Sequence, residues 1–416
     1  MAFAMATCLA VSAISPARAY AEARGSGSGG SMITDTRAAM IARSLVSTGN
    51  NARLKAAIDR ARSGKKVTLA YIGGSITEGF NATGPDKSWA RLSRDAFRDM
   101  FAGGDDSLVG YLNAGMAGTP SSLGMIRYRR DVLDRLDSKP DIAFVEFAVN
   151  DGDDPTGGAA FESLVRGILE SDDGTAVVLV FSVFQSRWNL EDRLAPVGKG
   201  YGLPMVSVKN AVVPALEAGT LTDAEFFADI YHPTDSGHRL MADCVANLFK
   251  AVDAEPLSAR DAELPKEAVI GYRFDGIRMI DARTVPRGVK VSAGAFKGTD
   301  ESIGTFNREN PEPTFPANWH KAAGKKGGEF TMKIACKNLV IVYKKSRAGC
   351  SFGTAEAYVD GELVNGLDGE PSNGWNNPWT SVLIDEEVAK PHVVKIRMED
   401  DSADLAFTIL AFGYTE

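Results

Sequence analysis

The spacing of apolar residues changes character part-way along the chain. Residues 51–61 (N-A-R-L-K-A-A-I-D-R-A) place apolar side chains at helical intervals, Ser63-Gly64 breaks the pattern, and 67–72 follow as an apolar strand. Short runs rich in Val, Ile and Phe recur at 142–147 and 176–183, with a weaker one at 205–208 and helix-like segments at 160–170, 212–218 and 236–251. Strands that are apolar throughout, with no alternation, suit a parallel sheet covered on both faces. Residues 36–253 therefore read as βαβ repeats in one doubly wound α/β unit.

Between 254 and 266 the sequence turns polar around Pro256 and Pro265, and beyond it the helical period fades. Apolar runs at 330–334, 339–343, 355–359, 392–398 and 406–412 alternate with Gly, Asn and Asp turns, and Asp360-Gly361 is a hairpin signal. The expected organisation is an α/β domain over 32–253, a linker at 254–266 and a C-terminal β-sandwich over 267–416. No solenoid-length repeat is present.

Composition narrows the classes. The 416 residues suffice for two or three domains, and 44% hydrophobic with 24% charged residues is ordinary for a globular chain. With 46 Lys+Arg against 54 Asp+Glu, the net charge of -8 disfavours nucleic acid and anionic lipid as partners. Four cysteines (Cys8, Cys244, Cys336, Cys350) and four histidines (His232, His238, His320, His392) lack zinc spacing, so no metal is expected. Cys336 and Cys350 either pair or remain buried free thiols.

Residues 1–31 stand apart. The apolar run 2–14 is too short to span a bilayer, and Ala17-Arg18-Ala19 has the form of a signal-peptidase site, yet no Lys or Arg precedes the run. Residues 25–31 (G-S-G-S-G-G-S) read as a flexible linker or an engineered seam.

Four segments carry candidate chemistry. Tyr71-Ile72-Gly73-Gly74-Ser75-Ile76-Thr77-Glu78-Gly79 follows the clearest strand and puts Ser75 where a strand end meets a helix start; it is not a G-x-S-x-G elbow, because Thr77 replaces the last glycine. Asp229-Ile230-Tyr231-His232-Pro233 offers a base and a carboxylate to orient it, which a serine nucleophile requires at neutral pH. Asn113-Ala114-Gly115-Met116-Ala117-Gly118-Thr119 offers a bare Gly118 N–H, and Ala148-Val149-Asn150-Asp151 offers the Asn150 amide, as donors for a developing oxyanion. Taken singly, each is better read as a turn: an N-cap serine, a solvated Asp beside a packed His, or Gly and Asn where φ is positive.

In this order the four segments resemble the blocks of the SGNH hydrolase superfamily, the GDSL-type esterases, over residues of roughly 50 to 250. The resemblance implies a flavodoxin-like three-layer α/β/α fold. It also implies two-step acyl transfer by Ser75, His232 and Asp229, with the Ser75 and Gly118 N–H groups and the Asn150 side chain as the oxyanion hole, and no cofactor. Two positions depart from the pattern: Gly73-Gly74-Ser75 replaces the literal G-D-S, and Ala148 stands where glycine is common, a change expected to narrow the acyl or alcohol pocket. The stretch 145–151, an early Gly49-Asn50-Asn51 and the trailing β-rich half are similar to SGNH proteins of polysaccharide breakdown. The implied substrate is an acetyl or other short-chain ester on a carbohydrate such as xylan or xylo-oligosaccharides. Lipase or thioesterase action and sugar O-acyl transfer remain alternatives with the same triad, and a glycan-binding module on a degenerate hydrolase scaffold is the alternative outside enzymes. Trp375 and Trp379, in the polar loop 372–379, either stack on sugar rings or pack the loop onto the sandwich. A polysaccharide substrate favours an exported protein.

Overall fold

The computed structural model describes residues 36–171, 174–303, 309 and 314–416. The leader-like segment 1–31 lies outside the described residues. The unit Asp35–Glu416 carries two sheets. The first contains β1 (Leu45–Ser47), β2 (Val67–Gly73), β3 (Val109–Gly115), β4 (Ile142–Glu146), β5 (Ala176–Phe181) and β6 (Met205–Ser207), in the order β1-β6-β5-β4-β2-β3. Strands β2 to β6 are parallel, as expected, but β1 pairs antiparallel with β6, so the sheet is mixed at one edge. Three residues are too few for any periodicity to mark β1 in the sequence.

All seven residues of β2 are buried, and they alternate between two cores. Val67, Leu69 and Tyr71 meet the helices Ala52–Arg62, Trp89–Phe101, Val208–Glu217 and Asp235–Ala254, whereas Ala70 and Ile72 meet Ser121–Asp131, Ala159–Ser171 and Glu191–Gly200. This is the three-layer arrangement that the apolar strands demanded, since each buried Val, Leu, Ile or Phe contributes roughly 1.5–3 kcal/mol relative to exposure. The helix Glu191–Gly200 was invisible to propensity because it contains Pro196 and two glycines.

Strand order places the site. The helix after β2, Trp89–Phe101, covers one face, while the helix after β4, Ala159–Ser171, covers the other. The chain therefore parts in opposite directions at the carboxyl ends of β2 and β4, where open α/β sheets form their crevice. Ser75 lies just beyond one strand and Asn150 just beyond the other.

The second sheet is antiparallel and sandwich-like. It comprises β7 (Arg278–Ile280), β8 (Lys290–Ser292), β9 (Trp319–Lys321), β10 (Phe330–Lys345), β11 (Thr354–Val359), β12 (Glu362–Asp368), β13 (Asn377–Met398) and β14 (Phe407–Thr415). The register of β10 against β13 slips between Cys336 and Asn338 and again between Leu339 and Val340. Such irregularities bend long strands, so that β10 pairs with β8 through 331–333 and with β14 through 338–343 around a core of Phe330, Leu339, Ile341 and Phe412. Asp360 (φ 54) and Gly361 (φ 94) form the expected two-residue turn between β11 and β12.

The helix Ser121–Asp131 lies between the sheets. Its Gly124 abuts the Phe147 ring, its Ile126 fills the space left at Gly413 of β14, and its Ser122 hydroxyl bonds Thr380 of β13 at 2.7 Å. Packed on both sides, it buries Ser121, Ser122 and Arg127 together with Leu123, Met125 and Ile126, so no amphipathic pattern is readable. Cys336 is buried and Cys350 exposed, both free, so the pairing alternative is corrected and the two thiols are not both buried. Among the described residues no helix is long and apolar enough to cross a membrane.

Candidate active site

Ser75 opens the four-residue helix Ser75–Glu78 two residues beyond the end of β2, and its side chain is partly exposed. His232 Nε2 stands 2.9 Å from Ser75 Oγ, and His232 Nδ1 stands 2.9 Å from both carboxylate oxygens of Asp229. The Asp/His turn is closed locally: Ala228 N–H donates to His232 O, and Asp229 Oδ1 accepts the N–H groups of Tyr231 and His232, each at 2.8 Å. Burial works against the Asp229 charge, but the bonds from His232 and these two N–H groups outweigh it and hold the carboxyl below its ordinary range.

The segment after the nucleophile helix clasps this turn. Asn81, in the left-handed region at φ 64, donates Nδ2–H to Asp229 Oδ2 at 2.7 Å. The Phe80 ring centroid lies 4.5 Å from that of His232, and Thr83 donates its N–H and hydroxyl to Asp235 at 2.8 and 2.7 Å. His238, expected to be structural, is buried: its Nδ1 accepts Trp89 N–H and its Nε2 donates to Phe80 O. Burial lowers its pKa to about 4, so it is neutral at pH 7. These contacts join the segment that follows Ser75 to the Asp/His segment and its helix, and the sequence offered no signal for Asn81.

The two donor segments reach the same place. A Cβ on Gly74 would lie 2.3–2.5 Å from the amide atoms of Asn150, so the glycine preceding Ser75 makes room for that side chain. The Asn150 amide oxygen is buried without a hydrogen-bond partner among the described residues. Gly118 adopts φ +65 in a loop fixed at both ends, with Met116 N–H on Gly73 O (3.0 Å), Ala117 N–H on Glu78 Oε2 (2.9 Å) and Ser121 N–H on Asp151 Oδ1 (2.7 Å). Asn113 braces the segment, donating to Thr77 O at 2.9 Å.

Carboxyl groups underneath the site behave oppositely to Asp229. Burial pushes Glu146 up to about 7, against hydrogen bonds from Ser182 and Thr77; burial, reinforced by Asp154, pushes Asp151 up to about 8. Both lie buried beside the segments that carry Ser75 and Asn150, Glu146 bonded to Thr77 and Asp151 to the Ser121 N–H. Ala148 is fully buried in the core, with its carbonyl accepting Leu190 N–H, so it borders no open pocket, and the expected narrowing is corrected. From the second sheet's half, Trp375 reaches Gly118: a Cβ there would meet Cζ2 at 2.7 Å. The face of Trp379 is taken by Lys345 Nζ, 3.6 Å from the ring centroid. Among the described residues no group of three or more His, Cys, Asp or Glu side chains could hold a metal ion.

Residues 71–240 match the family of GDSL-like Lipase/Acylhydrolase proteins, and, with the structural likeness that follows, the match identifies a carboxylic ester hydrolase. The two-part architecture is shared with a two-domain esterase (CEX) active on acetylated mannans, at 25% identity and a TM-score of 0.77 over 90% of this chain and 99% of that one. The same esterase co-crystallized with mannopentaose superposes with a TM-score of 0.76 over 90% of this chain and 98% of that one, again at 25% identity. The comparison with curated proteins found no match.

Proposed function

We propose that the protein is a serine esterase that removes acetyl or other short acyl groups from carbohydrate. His232 Nε2 takes the Ser75 proton as Oγ bonds to the ester carbonyl carbon, and Asp229 orients the imidazole and offsets its positive charge. The Ser75 and Gly118 N–H groups and the Asn150 amide receive the oxyanion. The carbon–oxygen bond to the sugar breaks, and His232 returns the proton to the leaving oxygen. Water, deprotonated by His232, then releases the acid and regenerates Ser75.

The observation that carries this reading is the 2.9 Å relay from Ser75 through His232 to Asp229, with Asn150 packed on Gly74 beside the nucleophile. The carbohydrate assignment is supported by the likeness, over nine-tenths of the chain, to an esterase active on acetylated mannans. The short acyl group is supported by the same likeness, since that esterase acts on acetylated glycans. Acetate release from acetylated mannan and acetylated xylan, set against p-nitrophenyl acetate and octanoate, tests the proposal. Acetate from at least one glycan and faster turnover of the shorter aryl ester are expected; no acetate from either glycan, with octanoate the faster ester, would overturn it.

A further inference from the structure

We infer that the exposed rings of Tyr231 and Trp188, joined by the half-buried ring of Phe184, form a track for the sugar units that neighbour the esterified one, so that the substrate is an oligomeric or polymeric glycan. This rests on the proposed esterase reading and adds where the alcohol part lies.

Reaction chemistry fixes the side. The imidazole that accepts the serine proton must hand it to the leaving oxygen, so the sugar has to lie against His232 Nε2, while the carbonyl oxygen turns towards Asn150 and Gly118. A run of aromatic rings begins at that imidazole. The Tyr231 centroid is 6.1 Å from His232, Phe184 meets Tyr231 edge-on at 5.0 Å, and Trp188 stacks on Phe184 at 5.7 Å with 27° between the planes.

The run is built and anchored. Phe184 N–H donates to Trp188 O at 3.1 Å, and Gln185 N–H donates to Ile230 O at 3.1 Å, tying the turn to the Asp/His segment. Arg187 takes φ 70 at the corner, with its guanidinium 2.8 Å from Asp223. The indole of Trp188 rests over Gly152, where a Cβ would be 3.2 Å from its six-membered ring, two residues from Asn150. Yet Tyr231 remains 48% exposed and Trp188 39% exposed. Large rings fixed in place and left in water mark a binding face.

Pyranose rings present flat C–H faces to aromatic planes and hydroxyls to the polar atoms of Trp and Tyr. An acyl chain fits this face poorly, because acyl atoms belong on the opposite side of the reacting carbon. The occupant is therefore the glycan chain continuing from the leaving sugar.

The test compares kcat/KM for an acetylated manno- or xylo-oligosaccharide with kcat/KM for p-nitrophenyl acetate in the parent, Trp188→Ala, Tyr231→Ala, the double variant and Trp188→Phe. Each alanine variant should lower the oligosaccharide-to-aryl-acetate ratio about ten-fold, chiefly through KM, with Trp188→Phe recovering most of the loss and establishing that the turn still folds. A ratio in the double variant equal to the parent's would overturn the track while leaving the esterase reading intact. A selective loss on p-nitrophenyl octanoate instead would show that the rings hold acyl chains, and would overturn it too. A parent that releases no acetate from any glycan would sink the proposed function itself, and this inference with it.

Discussion

The molecule contains two Asp–His pairs built almost alike, one in each half. In the α/β half, Asp229 accepts His232 Nδ1 and the His232 backbone N–H; on the β11–β12 turn, Asp360 accepts His392 Nδ1 at 2.8 Å and the Val393 N–H at 2.8 Å. What differs is the other ring nitrogen. His232 Nε2 faces a hydroxyl and keeps 14% exposure, whereas the His392 side chain is 1% exposed and its Nε2 has no hydrogen-bond partner among the described residues, with Glu386 lying 3.8 Å away. An oriented imidazole is thus a common product of folding. In the proposed mechanism it becomes a base when a hydroxyl and a path for substrate meet its free edge.

The sharpest way to break the contrast is to remove that hydroxyl. Ser75→Ala should lower kcat about 10⁴-fold or more, leaving the pair at 229 and 232 as idle as the one at 360 and 392. Ester hydrolysis at parental rates would end the assignment. Next in size, Asn150→Ala should lower kcat by roughly 10²–10³ with little change in KM, because the donor acts on charge that develops in the transition state; single-turnover assays read this directly.

A smaller effect is expected at Asn81, which the second pair has no counterpart for. Asn81→Gly preserves the left-handed backbone while deleting the bond to Asp229, and should lower kcat about ten-fold. An unaltered kcat would mean that the two N–H groups hold the carboxylate unaided. The smallest effect belongs to His392→Gln: kcat/KM stays within about two-fold of the parent, since the substitution is distant from the site, and Tm falls by about 2 °C. The backbone N–H of Val393, aided by His392 and opposed by burial, holds Asp360 below its ordinary pKa. Stability from a depressed carboxylate is present at neutral pH and lost as the pH falls through its folded value. The Tm difference should therefore persist at pH 7 and shrink below about pH 4.

How much of this could be read beforehand follows from how local each feature is. Ser75, Asn150 and the Asp229/His232 turn each sit next to a strand end or helix start whose apolar pattern the sequence displays, and Asp229 to His232 spans only three residues. The Asp360–His392 pair, 32 residues apart, gave no such cue. Nor did Asn81, Trp375 on Gly118, or the ring run ending at Trp188, because each depends on what another segment places opposite it. The helix Ser121–Asp131 was hidden for a related reason: the second sheet helps to bury residues 121–128 whether polar or apolar, so no apolar stripe stands out.

The sequence by itself determined the side chains proposed to react, the apolar strands that had to be buried from both sides, and the change to β texture past residue 254. Only the tertiary structure decided that a serine and an imidazole 157 residues apart approach to 2.9 Å. The physical reason is that burying β2 on both faces fixes where its carboxyl end emerges, while the helix Asp235–Ala254, packed on the same core, fixes the turn that carries His232.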